Sequence, residues 1–178
     1  MKKVIAATGV TLTLALGTSV LPANNDAGNE AHAATQPYYN YTGYTAYDTS
    51  FVLDSNFVRA LQHGNVTLNG YKIQGEHQAT NNDNDNNESV KVYDQKMIIN
   101  PKTNRAITAA FPAKSGQISK QDVINAYGSN YNFVKHYPND PDNTGIMKYE
   151  FDGSTVNFNF TNGYLTSVGI NGGVLTSL

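Results

Sequence analysis

Between residues 145 and 170 the chain alternates apolar and polar residues with a period of two. Met147, Tyr149 and Phe151 interleave with Lys148 and Glu150, and Val156, Phe158 and Phe160 interleave with Asn157 and Asn159. Successive side chains of a strand point to opposite faces, so this pattern demands a sheet with one face buried and one wet. Val168 and Ile170 continue it on one face with Tyr164 and Thr166. Asp152-Gly153 suits a two-residue turn, which sets Tyr149 opposite Val156 and Met147 opposite Phe158. At the next turn a two-residue loop, Asn162-Gly163, would put Val168 on the wrong face. A three-residue loop from Thr161 to Gly163 instead opposes Phe160 to Tyr164 and Val156 to Val168. Burial selects that register, because a slip of one residue moves every side chain to the other face. The expectation is a C-terminal three-stranded meander.

Two short helices precede it. Asp54 or Ser55 is placed to cap a helix whose inner face is Phe57, Val58 and Leu61, with Gly64 as its stop. Ser119 caps a second, with Asp122 three residues on, Val123, Ala126 and Tyr127 inside, and Gly128 at the end. VKVYDQKMII (90–99) and RAITAAF (105–111) flank Asn100-Pro101-Lys102-Thr103-Asn104 and predict a hairpin with a longer loop. Val66 to Ile73 around Asn69-Gly70 reads either as a small hairpin or as one kinked strand. Residues 79–89, ATNNDNDNNES, cannot bury apolar surface and are expected to form a disordered polar loop. The sum is an α+β fold: an antiparallel sheet of about five to seven strands with two short helices on one face.

Lys2 and Lys3, an apolar run from Val4 to Leu21 and the small residues of Ala31-His32-Ala33 have the form of a secretory leader. Residues 1–33 are expected to be removed, leaving 34–178 as a single domain with no membrane insertion. The chain has no cysteine, which excludes disulfides, a thiolate nucleophile and cysteine metal sites. Twelve basic against fourteen acidic side chains give a formal charge of −2, so no strong net field favours a polyanion.

No motif assigns chemistry. The histidines His63, His77 and His136 have no metal-ligand spacing, and neither a nucleophile elbow nor a phosphate loop occurs. Asp83, Asp85, Asn87 and Asp94 only faintly echo a calcium loop, since Glu88 and Asp94 stand where Gly and Glu are needed. Asp140, Asp142, Glu150 and Asp152 each have a turn or solvation role. No catalytic residue, metal or cofactor is predicted. Two features stand out. Tyr38, Tyr39, Tyr41, Tyr44 and Tyr47 cluster in a stretch without Lys or Arg. They suit either stacking on bases, sugars or peptides, or packing as a lid over a sheet edge. Basic residues lie elsewhere: Arg59, Lys72 and then Lys91, Lys96, Lys102, Arg105, Lys114 and Lys120, with Asp94 the single acid among the last six.

The segment PYYNYTGYTAYDTSFVLDSNFVRALQHGNVTLNGYKI (37–73) carries Pro-Tyr-Tyr-x-Tyr-x-Gly-Tyr, Phe-x-Leu-Asp-x-Asn-Phe and Asn-Val-x-x-Asn-Gly in order. In this it resembles the immunodominant staphylococcal antigen B family. Val-x-x-Tyr-Asp-Gln around Tyr93 and Ala-Tyr-Gly at 126–128 agree with that resemblance, which is strong over 37–73 and weak beyond 130. It implies a small, secreted, partly surface-retained virulence antigen that elicits antibodies and binds extracellular nucleic acid without sequence preference. It brings no catalytic residues. The family antigen looks basic, whereas this chain is slightly acidic and carries an Asn/Asp loop at 81–88, which predicts weaker binding.

The leading expectation is therefore a secreted, loosely wall-associated, non-enzymatic antigen with DNA or RNA as partner. Phosphates would meet Lys91, Lys96, Lys102, Arg105, Lys114 and Lys120, and bases would meet Tyr38, Tyr39, Tyr41, Tyr44 and Tyr47. The alternative is a protein-binding module, either an inhibitor of a secreted enzyme or a ligand of host or wall proteins. A hydrolase of wall polymers or nucleic acid is the third, supported only by the leader and scattered His and Asp.

Overall fold

The computed structural model of the chain describes residues 36–74, 87–173 and 175. The leader and positions 79–86 of the expected polar loop lie outside these. The elements run β1 (Tyr39–Tyr41), a 3₁₀ turn (Ser50–Leu53), α1 (Ser55–Gln62), β2 (Val66–Leu68), β3 (Tyr71–Ile73), β4 (Glu88–Val92), β5 (Gln95–Asn100), β6 (Arg105–Pro112), α2 (Lys120–Tyr127), β7 (Asn132–Lys135), β8 (Gly145–Glu150), β9 (Thr155–Thr161) and β10 (Tyr164–Ile170).

The ten strands of the described residues join one sheet, in the order β1-β2-β3-β6-β10-β9-β8-β7, with β5 on the other edge of β6 and β4 beyond it. The sheet is mixed: β1 lies parallel to β2 and β3 parallel to β6. This corrects the expected antiparallel sheet of five to seven strands. The added strands are mostly short. β1, β2 and β3 have three residues each, too few to display alternation. Their parallel pairs arise from long connections: α1 bridges β1 to β2, and the β4–β5 hairpin separates β3 from β6. A further hairpin went unread because residues 90–99 look like one strand. Val92 in fact pairs with Gln95 across Tyr93-Asp94, a turn without glycine in which Tyr93 sits at φ +56°.

The helices form as expected. The Asp54 side chain caps α1 by accepting from the Asn56 N–H at 2.7 Å. At α2, Ser119 and Asp122 each accept from the other's backbone N–H, at 3.1 and 2.8 Å. Asn69 and Gly70, at φ +47° and +86°, resolve the open alternative as a hairpin that pairs Leu68 with Tyr71.

In the meander, Met147 opposes Phe158 and Tyr149 opposes Val156, as the alternation requires. The β9–β10 register differs from expectation. The turn is the two-residue Asn162-Gly163, which pairs Leu165 with Phe160, and a bulge between Leu165 and Ser167 then brings Val168 opposite Phe158. Burial does demand a one-residue slip, but the bulge at Thr166 supplies it rather than the turn. Leu165 and Val168 are thereby both buried.

One core lies between the sheet and the helices. Phe51, Phe57 and Phe111 cluster at one end, and Tyr127, Tyr149 and Phe158 at the other. Tyr127 Oη donates to Val52 O at 2.7 Å, tying α2 to the 3₁₀ turn. The C-terminus of α1 rests on the β8–β9 turn. There the Ser154 hydroxyl donates to Leu61 O at 2.6 Å and the Gly153 N–H to Gln62 O at 3.2 Å. A Cβ on Gly153 would meet Gly64 N at 2.5 Å and His63 C at 2.6 Å, backbone that cannot swing aside. Gly153→Ala is therefore expected to destabilise the fold by about 1–3 kcal/mol, the range for overpacking a tight contact. A lowered midpoint in chemical denaturation checks this; an unchanged midpoint means the helix end does not dock there.

Candidate nucleic-acid interface

Across the sheet, Met97, Ala109, Ile170, Val156 and Tyr149 lie side by side and are all buried beneath the helices. The adjacent row points to the other face and runs Lys91, Lys96, Ala110, Gly169, Asn157, Lys148, Asn132. With strands about 4.8 Å apart, the row spans about 29 Å. Lys91 and Lys96 are direct cross-strand partners. Four pairs further along β6, past the register shift between Ile98 and Ile99, Arg105 opposes Asn100 on one side and Lys72 on the other. Lys148 pairs with Glu150 at 2.5 Å.

The basic stretch of the sequence is thus divided. Lys91, Lys96 and Arg105 share the helix-free face. Lys102 is exposed at the tip of the β5–β6 turn, where its N–H donates to Asn100 Oδ1 at 2.9 Å. Lys114 lies in the loop after β6, its N–H bonded to Thr49 Oγ1 and its charge acting on Asp48. Lys120, in the first turn of α2, donates to Asp142 O at 3.1 Å and stands 3.6 Å from the centre of the Phe133 ring. Lys72 and Lys148 reach the face from outside that stretch. Lys148 was missed because only strand register links it to Lys96.

The tyrosines divide too. Tyr39 and Tyr41 are half-buried against Phe51, with Tyr41 stacked at 4.0 Å and Tyr39 also edge-on to Phe57 at 5.3 Å. They form part of the core's lid rather than a base platform. Burial, aided by Asp54 and Asp48, pushes the Tyr39 hydroxyl up to about 12; burial, aided by Asp94, Asp48 and Tyr39, does the same for Tyr41. Tyr38, Tyr44 and Tyr47 are exposed, and Tyr93, absent from the expected set, joins the last two. It is distant in sequence, and only the turn before β5 brings it there.

The other candidates have structural roles. His63 ends α1 with Nδ1 2.8 Å from Arg59 O, His136 is exposed, and His77 lies outside the described residues. Arg59 is held on the exposed side of α1 by Asn56 Oδ1 at 2.7 Å. The Asp94 carboxylate accepts from the N–H groups of Thr45 and Ala46 at 3.0 and 2.8 Å. Asp142 pairs with Lys135 at 2.6 Å, and that bond and charge hold its carboxyl below the usual range. Among the described residues no group of three or more His, Cys, Asp or Glu could hold a metal ion, and no helix is long and apolar enough to cross a membrane.

The architecture is that of a two-layer α+β protein, with helices on one face of a mixed sheet and lysines on the other. Residues 38–170 match the family described as immunodominant staphylococcal antigen B. The chain is 34% identical over 146 residues to the immunodominant staphylococcal antigen B of Staphylococcus aureus strain USA300, covering 79% of this chain and 78% of that protein. The antigens of strains NCTC 8325 / PS 47 and bovine RF122 / ET3-1 match to the same extent. The chain belongs to the immunodominant staphylococcal antigen B family. No solved structure matches it.

Three of the packed tyrosines, two in the lid and one in the core, have a consequence at high pH. Tyr39, Tyr41 and Tyr149 are raised from 10.0 to about 12, first of all by burial. The folded state therefore holds their protons more tightly than the unfolded state. The stability this contributes is complete below pH 10 and is lost as pH rises through about 12. Denaturant midpoints measured from pH 9 to 12 should fall across that window, and Tyr41→Phe should flatten the fall. A midpoint independent of pH would mean these hydroxyls are solvated in the fold.

Proposed function

We propose that this protein is a secreted, non-enzymatic surface antigen that binds extracellular nucleic acid without sequence specificity through the helix-free face of its sheet. The observation that carries the reading is the cross-strand Lys91–Lys96 pair, with Arg105 and Lys72 side by side on the same face. Phosphates meeting such charges release counterions, which supplies affinity without reading bases. The polar side chains along the row, Asn157 and Asn132, suit a backbone contact better than an apolar partner would. Family membership supports the antigen reading. The leader-like segment at 1–33 supports export.

Binding of the protein to a short duplex should weaken as salt rises from about 50 to 200 mM, with a log–log slope of about −0.9 per phosphate neutralised. Lys91→Ala with Lys96→Ala should make that slope shallower by about 1.8, two phosphates' worth. A slope left unchanged by the double substitution would remove the sheet face as the site. No binding even at low salt would reject the nucleic-acid reading and favour a protein partner, to be sought by capture that survives nuclease.

A further inference from the structure

At the end of the β4–β5 hairpin, Tyr44 meets Tyr47 with ring centres 5.4 Å apart and Tyr93 with centres 4.8 Å apart, both edge-on. The three are 47, 75 and 47% exposed. Unlike Tyr39 and Tyr41, they do not stack on the core phenylalanines.

Their loop is built to hold still. Gly43 N–H donates to Asn69 Oδ1 at 2.7 Å, and Gly43 O accepts from Gln95 Nε2 at 2.9 Å. Asp94 accepts from the N–H groups of Thr45 and Ala46, the Thr45 hydroxyl donates to Pro112 O at 2.9 Å, and Tyr41 Oη donates to Tyr44 O at 2.9 Å. Tyr93 holds φ at +56°, a conformation that bulky side chains rarely adopt. Strain of this kind persists where the surroundings over-determine it, and it gathers at binding sites. A rigid, exposed group of rings avoids most of the ordering cost of association.

We infer that Tyr44, Tyr47 and Tyr93 form a stacking platform for unpaired bases beside the lysine face, so that the protein binds single strands by a contact that duplexes cannot make. The inference rests on the nucleic-acid reading above. Lys91, on β4, and Tyr93, in the turn two residues on, belong to the same hairpin, so a strand whose phosphates meet the lysines passes next to the rings. Asp48 and Asp94 place negative charge near the tyrosine loop, and Asp48 is held ionised by Ser50 and Gln117. The platform is therefore a poor phosphate site. Stacking there and charge neutralisation at Lys91 and Lys96 are separable.

The test compares a 20-nucleotide poly-dT strand with a duplex of equal length. Tyr44→Ala with Tyr47→Ala should weaken strand binding about tenfold or more, the effect of losing one or two base stacks. Duplex affinity and salt slope should stay as in the parent protein. Tyr44→Phe with Tyr47→Phe should bind as the parent does, because the ring faces remain. Tyr47→Ala alone, at the most exposed position, repeats the test without disturbing the loop. Unchanged strand affinity in the alanine variants overturns the platform while leaving the lysine face standing. An equal loss for strand and duplex overturns it too. A parent protein that binds neither rejects both readings.

Discussion

Strand β6 holds the two halves of the molecule in one register. Along one edge it receives β5; along the other it receives β3 at Arg105 and Ala106 and then β10 from Ala109 to Pro112. Arg105, Ala106, Ala109 and Ala110 are thereby each assigned a face by a strand on either side. Ala106, Ala109 and Phe111 go to the core. Arg105 and Ala110 go to the other face, which also carries Lys96 and Lys72. A slip of one residue would exchange these sets, burying charge and exposing the core, so register here is specified by a large energetic penalty. The basic face needs no design separate from the core, because it is what remains when the core is satisfied. The same strand limits side-chain size where the chain folds back on it, since a Cβ on Gly173 would strike the Ala109 carbonyl.

Much of this was legible in the sequence wherever one segment contains its own signal. Both helices carried their caps and stops within a dozen residues, and the β8–β9 register followed from alternation and a two-residue turn. What failed depended on contacts distant in sequence. Three-residue strands have no period, so β1 was not read as a strand and β2 and β3 were visible only through Asn69-Gly70. The bulge at Thr166 repairs the phase of β10 after an ordinary Asn-Gly turn, and alternation cannot distinguish a longer turn from a bulge that shifts the phase by the same one residue. Tyr93-Asp94 turns without glycine, held by hydrogen bonds from Thr45 and Ala46 that no local pattern announces. The candidate site failed in the same way. Lys96 and Lys148 share a row although three strands, β6, β10 and β9, lie between them, whereas Lys114 and Lys120, inside the basic stretch, go elsewhere.

The formal charge of −2 does not describe the sheet face because the two signs have different work. Asp48, Asp54, Asp94, Asp122 and Asp140 all accept from backbone N–H groups, at turns and helix starts. Short carboxylates suit those positions, where they satisfy donors that the elements leave open. Lysine and arginine, with long apolar stems, suit the wet face of a strand. These aspartates therefore sit at loops and helix starts, while Lys72, Lys91, Lys96, Arg105, Lys135 and Lys148 stand on strands. Screening beyond about 8–10 Å makes the local pattern, rather than the sum, what a charged partner meets.

The tyrosines show the same separation of roles within one stretch of chain. Tyr41 closes the core by stacking on Phe51, and its hydroxyl then fixes Tyr44 O, so the lid and the exposed rings are mechanically one unit. Asp94 fastens that unit to the β4–β5 hairpin, the strand pair that also presents Lys91 and Lys96. A stable core at one end of the loop thus sets the position of the aromatic rings at the other. Strand pairing in turn sets how far those rings stand from the nearest lysines. Charge and stacking are brought together by the hairpin alone, which is why neither the tyrosine-rich segment nor the lysine-rich segment, taken singly, defines the surface.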